Sequence, residues 1–182
     1  MNKLDKNNKL HLMNHLLKEV VSVLKKNNID YYLDCGTLLG CIRDGQLIPT
    51  DTDVDVTIHL SQWDKLNAIN FESYNLTRTR TRELFPNFME GNLISVKTEW
   101  SELYCDIYAN PAFPKLVQKE MAGHTYNVPV ESELYIEQLY GEDWKTPSGT
   151  HADTVFHRNN GLVNSDYAKH WDYRYEIFKC IM

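Results

Sequence analysis

CGTLLGCIRDGQLIPTDTDVDV, residues 35–56, is the stretch on which the fold turns. Its end alternates. From Asp51 to His59 the chain predicts a strand with Val54, Val56 and Ile58 on one face. Asp53, Asp55, Thr57 and His59 take the other, because strand side chains point to opposite faces in turn. Asp51, Asp53 and Asp55 stand two residues apart, which puts neighbouring side chains roughly 7 Å apart on that face. Like charges in a row repel, and strands disfavour Asp. The bland reading is the solvated face of an edge strand. Two features weigh against it: the apolar opposite face anchors the strand in a core, and Gly36-Thr37 follows another predicted strand upstream. A glycine there lets backbone approach a ligand, and the next helix start offers free N–H groups to a phosphate. A divalent cation is the natural counter-charge for the acidic row, since Mg²⁺ and Mn²⁺ take oxygen ligands.

Working outward, Leu10, Met13, Leu17, Val20 and Leu24 recur at steps of three and four and predict a helix over 4–27, ended by Asn27-Asn28. Ile29 to Leu33 is short, aromatic and β-branched and reads as a strand broken by Gly36. Thr37 to Arg43 reads as a short helix and Asp44-Gly45 as a turn. Ser61 to Asp64 has capping-box character for a helix to about Asn70. Leu76 to Arg82 reads as an edge strand, and Glu90-Gly91-Asn92 as a turn. Leu93 to Thr98 and Leu103 to Tyr108 then form a predicted hairpin. A short helix is expected around Leu116, a small hairpin turning at Gly123-His124, and a helix over Glu131 to Tyr140 closed by Gly141. Trp144 to Asn164 is irregular, and Ser165 caps a final aromatic-rich helix to Ile181. The pattern is α/β (α+β): a mixed sheet with flanking helices, one domain over 1–182, its core near 30–150 and terminal helices packed on it.

The bulk numbers fit. The chain has 182 residues, 42% hydrophobic and 24% charged, as expected for an ordinary globular domain. A formal net charge of −6 and the lack of a Lys/Arg-rich run argue against a nucleic-acid partner. Cys35, Cys41, Cys105 and Cys180 form no CxxC or zinc pattern and read as free thiols in a reducing compartment. Met1 to Leu10 has no apolar signal region, and Leu16 to Leu24 is interrupted by Lys18 and Glu19, so no membrane span is expected and the expected location is cytoplasmic.

GTLLGCIRDGQLIPTDTDVDV resembles the signature of the LicD/fukutin-related family, within the nucleotidyltransferase superfamily typified by polymerase beta. That superfamily carries a glycine turn, a carboxylate pair on a strand and a third carboxylate on a neighbouring strand. The resemblance places these at Gly36-Thr37, at Asp53 and Asp55, and at Asp106 within Leu103 to Tyr108. Arg43, Ile48-Pro49 and Glu137 to Pro147 also fit, so the similarity spans roughly 30–150. Thr52 departs from the family, which often has consecutive acids after an aromatic residue.

The resemblance implies a nucleotidyltransferase fold in which Asp53, Asp55 and Asp106 bind Mg²⁺ or Mn²⁺ and carry catalysis. Asp51 is then an outer or alternative ligand, Gly36 and Thr37 cradle phosphate, and Arg43 neutralises the leaving group. It implies a phosphoalcohol such as phosphocholine moved from a CDP-activated donor to a glycan hydroxyl. The alternatives are nucleotide transfer from an NTP donor to a small-molecule acceptor, and a catalytically silent nucleotide-binding module.

Other features read more plainly. Arg78, Arg80 and Arg82 would share one face of their strand, which reads as a charged, solvated edge, with phosphate or glycan binding as the alternative. Lys97 reads as a surface lysine, and Tyr31, Tyr32, Tyr104 and Tyr108 as core rather than a cage for a base or choline. His151, Asp153, His157 and Arg158 form no zinc spacing and read as loop residues, with a share in the substrate cleft as the alternative. Trp171, Tyr173, Tyr175 and Phe178 read as the docking face of the last helix.

Overall fold

A computed structural model describes residues 6–82 and 92–147. The expected final helix with its aromatic face, the His151–Arg158 cluster, Cys180 and most of the Glu90-Gly91-Asn92 turn lie outside the described residues.

Helix α1 (Lys6–Lys26) ends with Lys25 and Lys26 in its last turn, where cations complement the helix dipole. Asn28 takes a left-handed φ of 50°, and Ile29 N–H returns to the Leu24 carbonyl at 2.9 Å, which closes the helix. Strand β1 (Tyr31–Leu33) leads directly into α2 (Cys35–Arg43), capped by Asp34. The helix therefore begins before Gly36, which sits inside its first turn rather than in a separate break. Strand β2 (Asp53–His59) is followed by a 3-10 turn and the five-residue helix α3 (Trp63–Asn67). The helix is shorter than the sequence predicts and Ser61 does not cap it: the Ser61 Oγ lies 2.6 Å from His59 Nδ1, which also accepts from Ser61 N–H at 3.2 Å.

Strands β3 (Leu76–Arg82), β4 (Asn92–Thr98) and β5 (Tyr104–Asn110) complete a five-stranded sheet of order β1-β2-β5-β4-β3. β2 and β5 are parallel and the other neighbours antiparallel, so the sheet is mixed, and β4–β5 is the expected hairpin. Around Leu116 the chain is not helical. β6 (Leu116–Met121) pairs with β7 (His124–Pro129) across Ala122 and Gly123, both at positive φ as a two-residue hairpin turn requires. Helix α4 (Ser132–Tyr140) ends at Gly141, whose φ of 93° favours glycine.

The core lies on the apolar side of the sheet. Val54, Val56 and Ile58 of β2, Cys105, Ile107 and Ala109 of β5, and Ile94 and Val96 of β4 are fully buried. They form one cluster with Met13, Leu17, Val20 and Leu24 of α1. Each valine, leucine, isoleucine and methionine of this set contributes about 1.5–3 kcal/mol, so the register of β2 is strongly held. A one-residue slip would exchange this set for Asp53, Asp55 and Thr57. The same alternation commits the carboxylates to the opposite face.

Candidate active site

On that opposite face the register lines up chemistry across four strands. Asp55 of β2 pairs with Asp106 of β5, Asp106 with Ser95 of β4, and Ser95 with Arg80 of β3. Asp53 lies one step along, opposite Tyr104. One carboxylate oxygen from each of Asp53, Asp55 and Asp106 falls within 4.8 Å of the others. Asp55 and Asp106 are buried and Asp53 half-buried. Three acids this close demand positive charge, because unpaired buried charge is costly.

Part of that charge comes from the protein. Arg80 Nη2 donates to Asp106 Oδ2 at 3.2 Å, and its Nε donates to Ser95 Oγ at 3.2 Å. Ser95 Oγ donates to Asp106 Oδ1 at 2.5 Å, and Tyr108 OH reaches Oδ2 at 3.4 Å. Burial still holds the Asp106 carboxyl above its ordinary range, against the lowering pull of Ser95, Arg80 and Tyr108; the charge of Asp53 adds to the rise. The Cys105 thiol is pushed well up by complete burial and by the same three acids.

Helix α2 braces β2. Thr37 Oγ1 accepts the Asp55 backbone N–H at 2.8 Å, and Asp34 N–H donates to the Asp55 carbonyl at 3.2 Å. Asp34 itself is buried, accepting from Thr57 Oγ1 at 2.6 Å, Tyr135 OH at 2.8 Å and Cys35 N–H at 2.7 Å. It thus ties β2, α4 and the start of α2 together beside the acids. Thr37 is buried and engaged with Asp55. Its position gives it a hold on a carboxylate strand, a role its sequence neighbourhood did not announce.

Asp51 stands apart from the other acids. The turn at Pro49-Thr50, closed by Asp51 N–H on the Ile48 carbonyl, precedes β2, so Asp51 is not on the strand as expected. Its carboxylate lies over Gly36, where an added Cβ would come within 2.6 Å of Oδ2. Arg43 is held by its neighbour: Nε and Nη2 bind the two Asp44 oxygens at 2.9 and 2.7 Å. That hydrogen-bonded pairing raises its pKa, with smaller contributions from Asp51 and Tyr140.

The arginine row corrects a second expectation. A bulge between Arg78 and Arg80 shifts the register, so Arg78 pairs with Val96 and Arg80 with Ser95. The two side chains therefore leave on opposite faces. Arg78 caps the α3 region, donating to Asn67 and to the Ile69 carbonyl, and lies over the Phe71 ring at 5.3 Å. Arg80 enters the acidic face. Tyr31 and Tyr32 are core, as expected, whereas Tyr104 and Tyr108 are half-buried on the acidic face. Lys97 pairs with Glu102 at 3.2 Å. A groove of about 440 Å³ lined by Lys18, Lys25, Lys26 and His124 shares no residue with the acidic cluster.

A mixed sheet with carboxylates on two adjoining parallel strands, beside a helix opening on Gly-Thr, defines a nucleotidyltransferase fold. A solved lincosamide antibiotic adenylyltransferase, LnuA, shares it at a TM-score of 0.50 and 12% identity, over 94% of this chain and 99% of that one. Residues 28–140 match the nucleotidyltransferase domain of the LicD/FKTN/FKRP family, and the chain belongs to that family. It is 27% identical to the human ribitol 5-phosphate transferase FKRP over 107 residues, 58% of this chain and 21% of FKRP. It is 34% identical to the uncharacterized protein RP689 of Rickettsia prowazekii over 89 residues, 42% of this chain and 34% of that protein. The matched segment is thus about a third or less of either relative. No helix among the described residues is long and apolar enough to cross a membrane.

Proposed function

We propose that the protein is a metal-dependent transferase that moves a phosphoalcohol, such as phosphocholine or ribitol phosphate, from a CDP-activated donor to a hydroxyl of a glycan. The observation that carries this reading is the convergence of Asp53, Asp55 and Asp106 within 4.8 Å. The donor set is all carboxylate, which suits Mg²⁺ or Mn²⁺. Bound there, such a cation supplies charge neutralisation for the donor's diphosphate. Family membership and the partial match to FKRP support phosphoalcohol transfer over other uses of the fold.

The chain's own residues then divide the work. Asp53 and Asp55 are fixed by β2, whose backbone is pinned at Asp55 by Thr37. The acceptor oxygen bonds to the phosphorus that carries the alcohol, the bond from that phosphorus to the bridging oxygen breaks, and CMP leaves. Asp106, the third carboxylate of the cluster, takes the acceptor's proton. The first turn of α2 at Gly36 offers backbone N–H groups to phosphate. Arg43 is committed to Asp44 at the far end of α2, and Asp51 borders the site over Gly36. A reducing, cytoplasmic setting fits the free thiols Cys35, Cys41 and Cys105.

The test is product analysis after incubation with Mn²⁺ and, in turn, CDP-choline, CDP-ribitol and the four nucleoside triphosphates, with a glycan acceptor. CMP released from a CDP-alcohol and lost in Asp53→Asn supports the reading. Pyrophosphate from a triphosphate, or turnover unchanged in Asp53→Asn, overturns it.

A further inference from the structure

We infer that Arg80 is the residue that grips the diphosphate of the activated donor, a role its place on an outer strand conceals. This deepens the proposed function and rests on it. Three observations carry the inference. The bulge between Arg78 and Arg80 costs the ladder its register and turns Arg80 alone of that pair onto the acidic face. Bulges of this kind re-aim side chains beside active sites.

Next, Arg80 is held loosely. Its contacts to Asp106 and Ser95 are both 3.2 Å, at the long end for N–H···O bonds, and its side chain is 54% exposed. By contrast Arg43 makes short bonds of 2.9 and 2.7 Å to Asp44 and is only 11% exposed. A guanidinium has five N–H donors, and Arg80 commits only two of them among the described residues. The planar fork of the remainder matches phosphate oxygens.

Finally, the position is right for a substrate anion. Arg80 touches Asp106, one of the three converging acids, so an anion held by those acids through a cation comes within reach of the same guanidinium. Ser95 holds Asp106 from the other oxygen and keeps that carboxylate in place when Arg80 lets go.

The experiment measures binding by calorimetry on the full chain, first with Mn²⁺ alone and then with inorganic pyrophosphate in the presence of Mn²⁺. Pyrophosphate is used because it shares the donor's chemistry whatever the base. Arg80→Ala is expected to bind Mn²⁺ as well as wild type or better, since a competing cation is removed from Asp106. It is expected to bind pyrophosphate about tenfold or more weakly, as for loss of a hydrogen bond between charged groups. Arg80→Lys, which keeps the charge without the fork, should recover part of the loss. Weaker Mn²⁺ binding in Arg80→Ala would make Arg80 a positioning residue for Asp106 and overturn the proposal. Unchanged pyrophosphate binding in Arg80→Ala would overturn it while leaving the carboxylate site intact. Failure of wild type to bind Mn²⁺ at all would remove both readings.

Discussion

Thr37→Val separates the scaffold of the site from its chemistry. The substitution keeps the side chain's volume and branching, so it opens no cavity, but it removes the oxygen that accepts Asp55 N–H at 2.8 Å. Thr37 and Asp55 are both buried, so water does not readily replace the lost partner. A buried N–H left unpaired costs about 1–3 kcal/mol. For a chain of this length that is a fall in Tm of roughly 2–12 °C. The same change frees the backbone at the centre of the acidic cluster, so Mn²⁺ affinity should fall as well. Thermal melts with and without Mn²⁺ check both effects, with Thr37→Ser as the control that retains the oxygen. Thr37→Ser should recover most of the Mn²⁺ affinity. A Thr37→Val variant that melts with wild type and binds Mn²⁺ equally well, or a Thr37→Ser variant that loses as much affinity as Thr37→Val, would refute this role for Thr37.

Gly40→Ala should destabilise the protein even though alanine favours helices by about 1 kcal/mol. Its Cβ would lie 2.5 Å from the Gln46 carbonyl oxygen and 3.1 Å from Ile48 N, both backbone. Overpacking of this kind costs about 1–3 kcal/mol or more, and urea melts read the net loss. Gly36→Ala meets only the movable end of Asp51, so its melt should stay closer to wild type. Mn²⁺ added at about a hundred times its Kd should stabilise wild type by about 2.7 kcal/mol, and a chelator should reverse this. Asp55→Asn should lose most of that gain in the same melts.

The sequence made β2 legible because Val54, Val56 and Ile58 alternate with acids, and a slip would bury charge. Asp106 came from resemblance: one acid inside Leu103 to Tyr108 has no spacing that marks it, and only the parallel pairing of β2 with β5 brings it beside Asp55. The hairpin turning near Gly123 was legible, but its first strand reaches back to Leu116, where a short helix was expected: the four middle residues of β6 are all exposed and only Met121 is fully buried, so no alternation existed to read. Its partner β7 makes it a strand. Arg80 was hidden for another reason. The pattern from Thr77 to Arg82 puts all three arginines on one face, and nothing in it signals the bulge that separates Arg78 from Arg80. Asp51 fell off the strand at a turn that Pro49 does signal. The structure therefore keeps the acidic pair as read and moves what surrounds it.

Asp53, Asp55 and Asp106 are proposed to form one cation site. A crystal of the protein soaked in Mn²⁺, with diffraction recorded at the manganese absorption edge, tests it directly. An anomalous peak bonded to oxygens of all three carboxylates is expected, and it should disappear in Asp55→Asn. A peak seated elsewhere, or no peak at Mn²⁺ concentrations that support turnover, would contradict it.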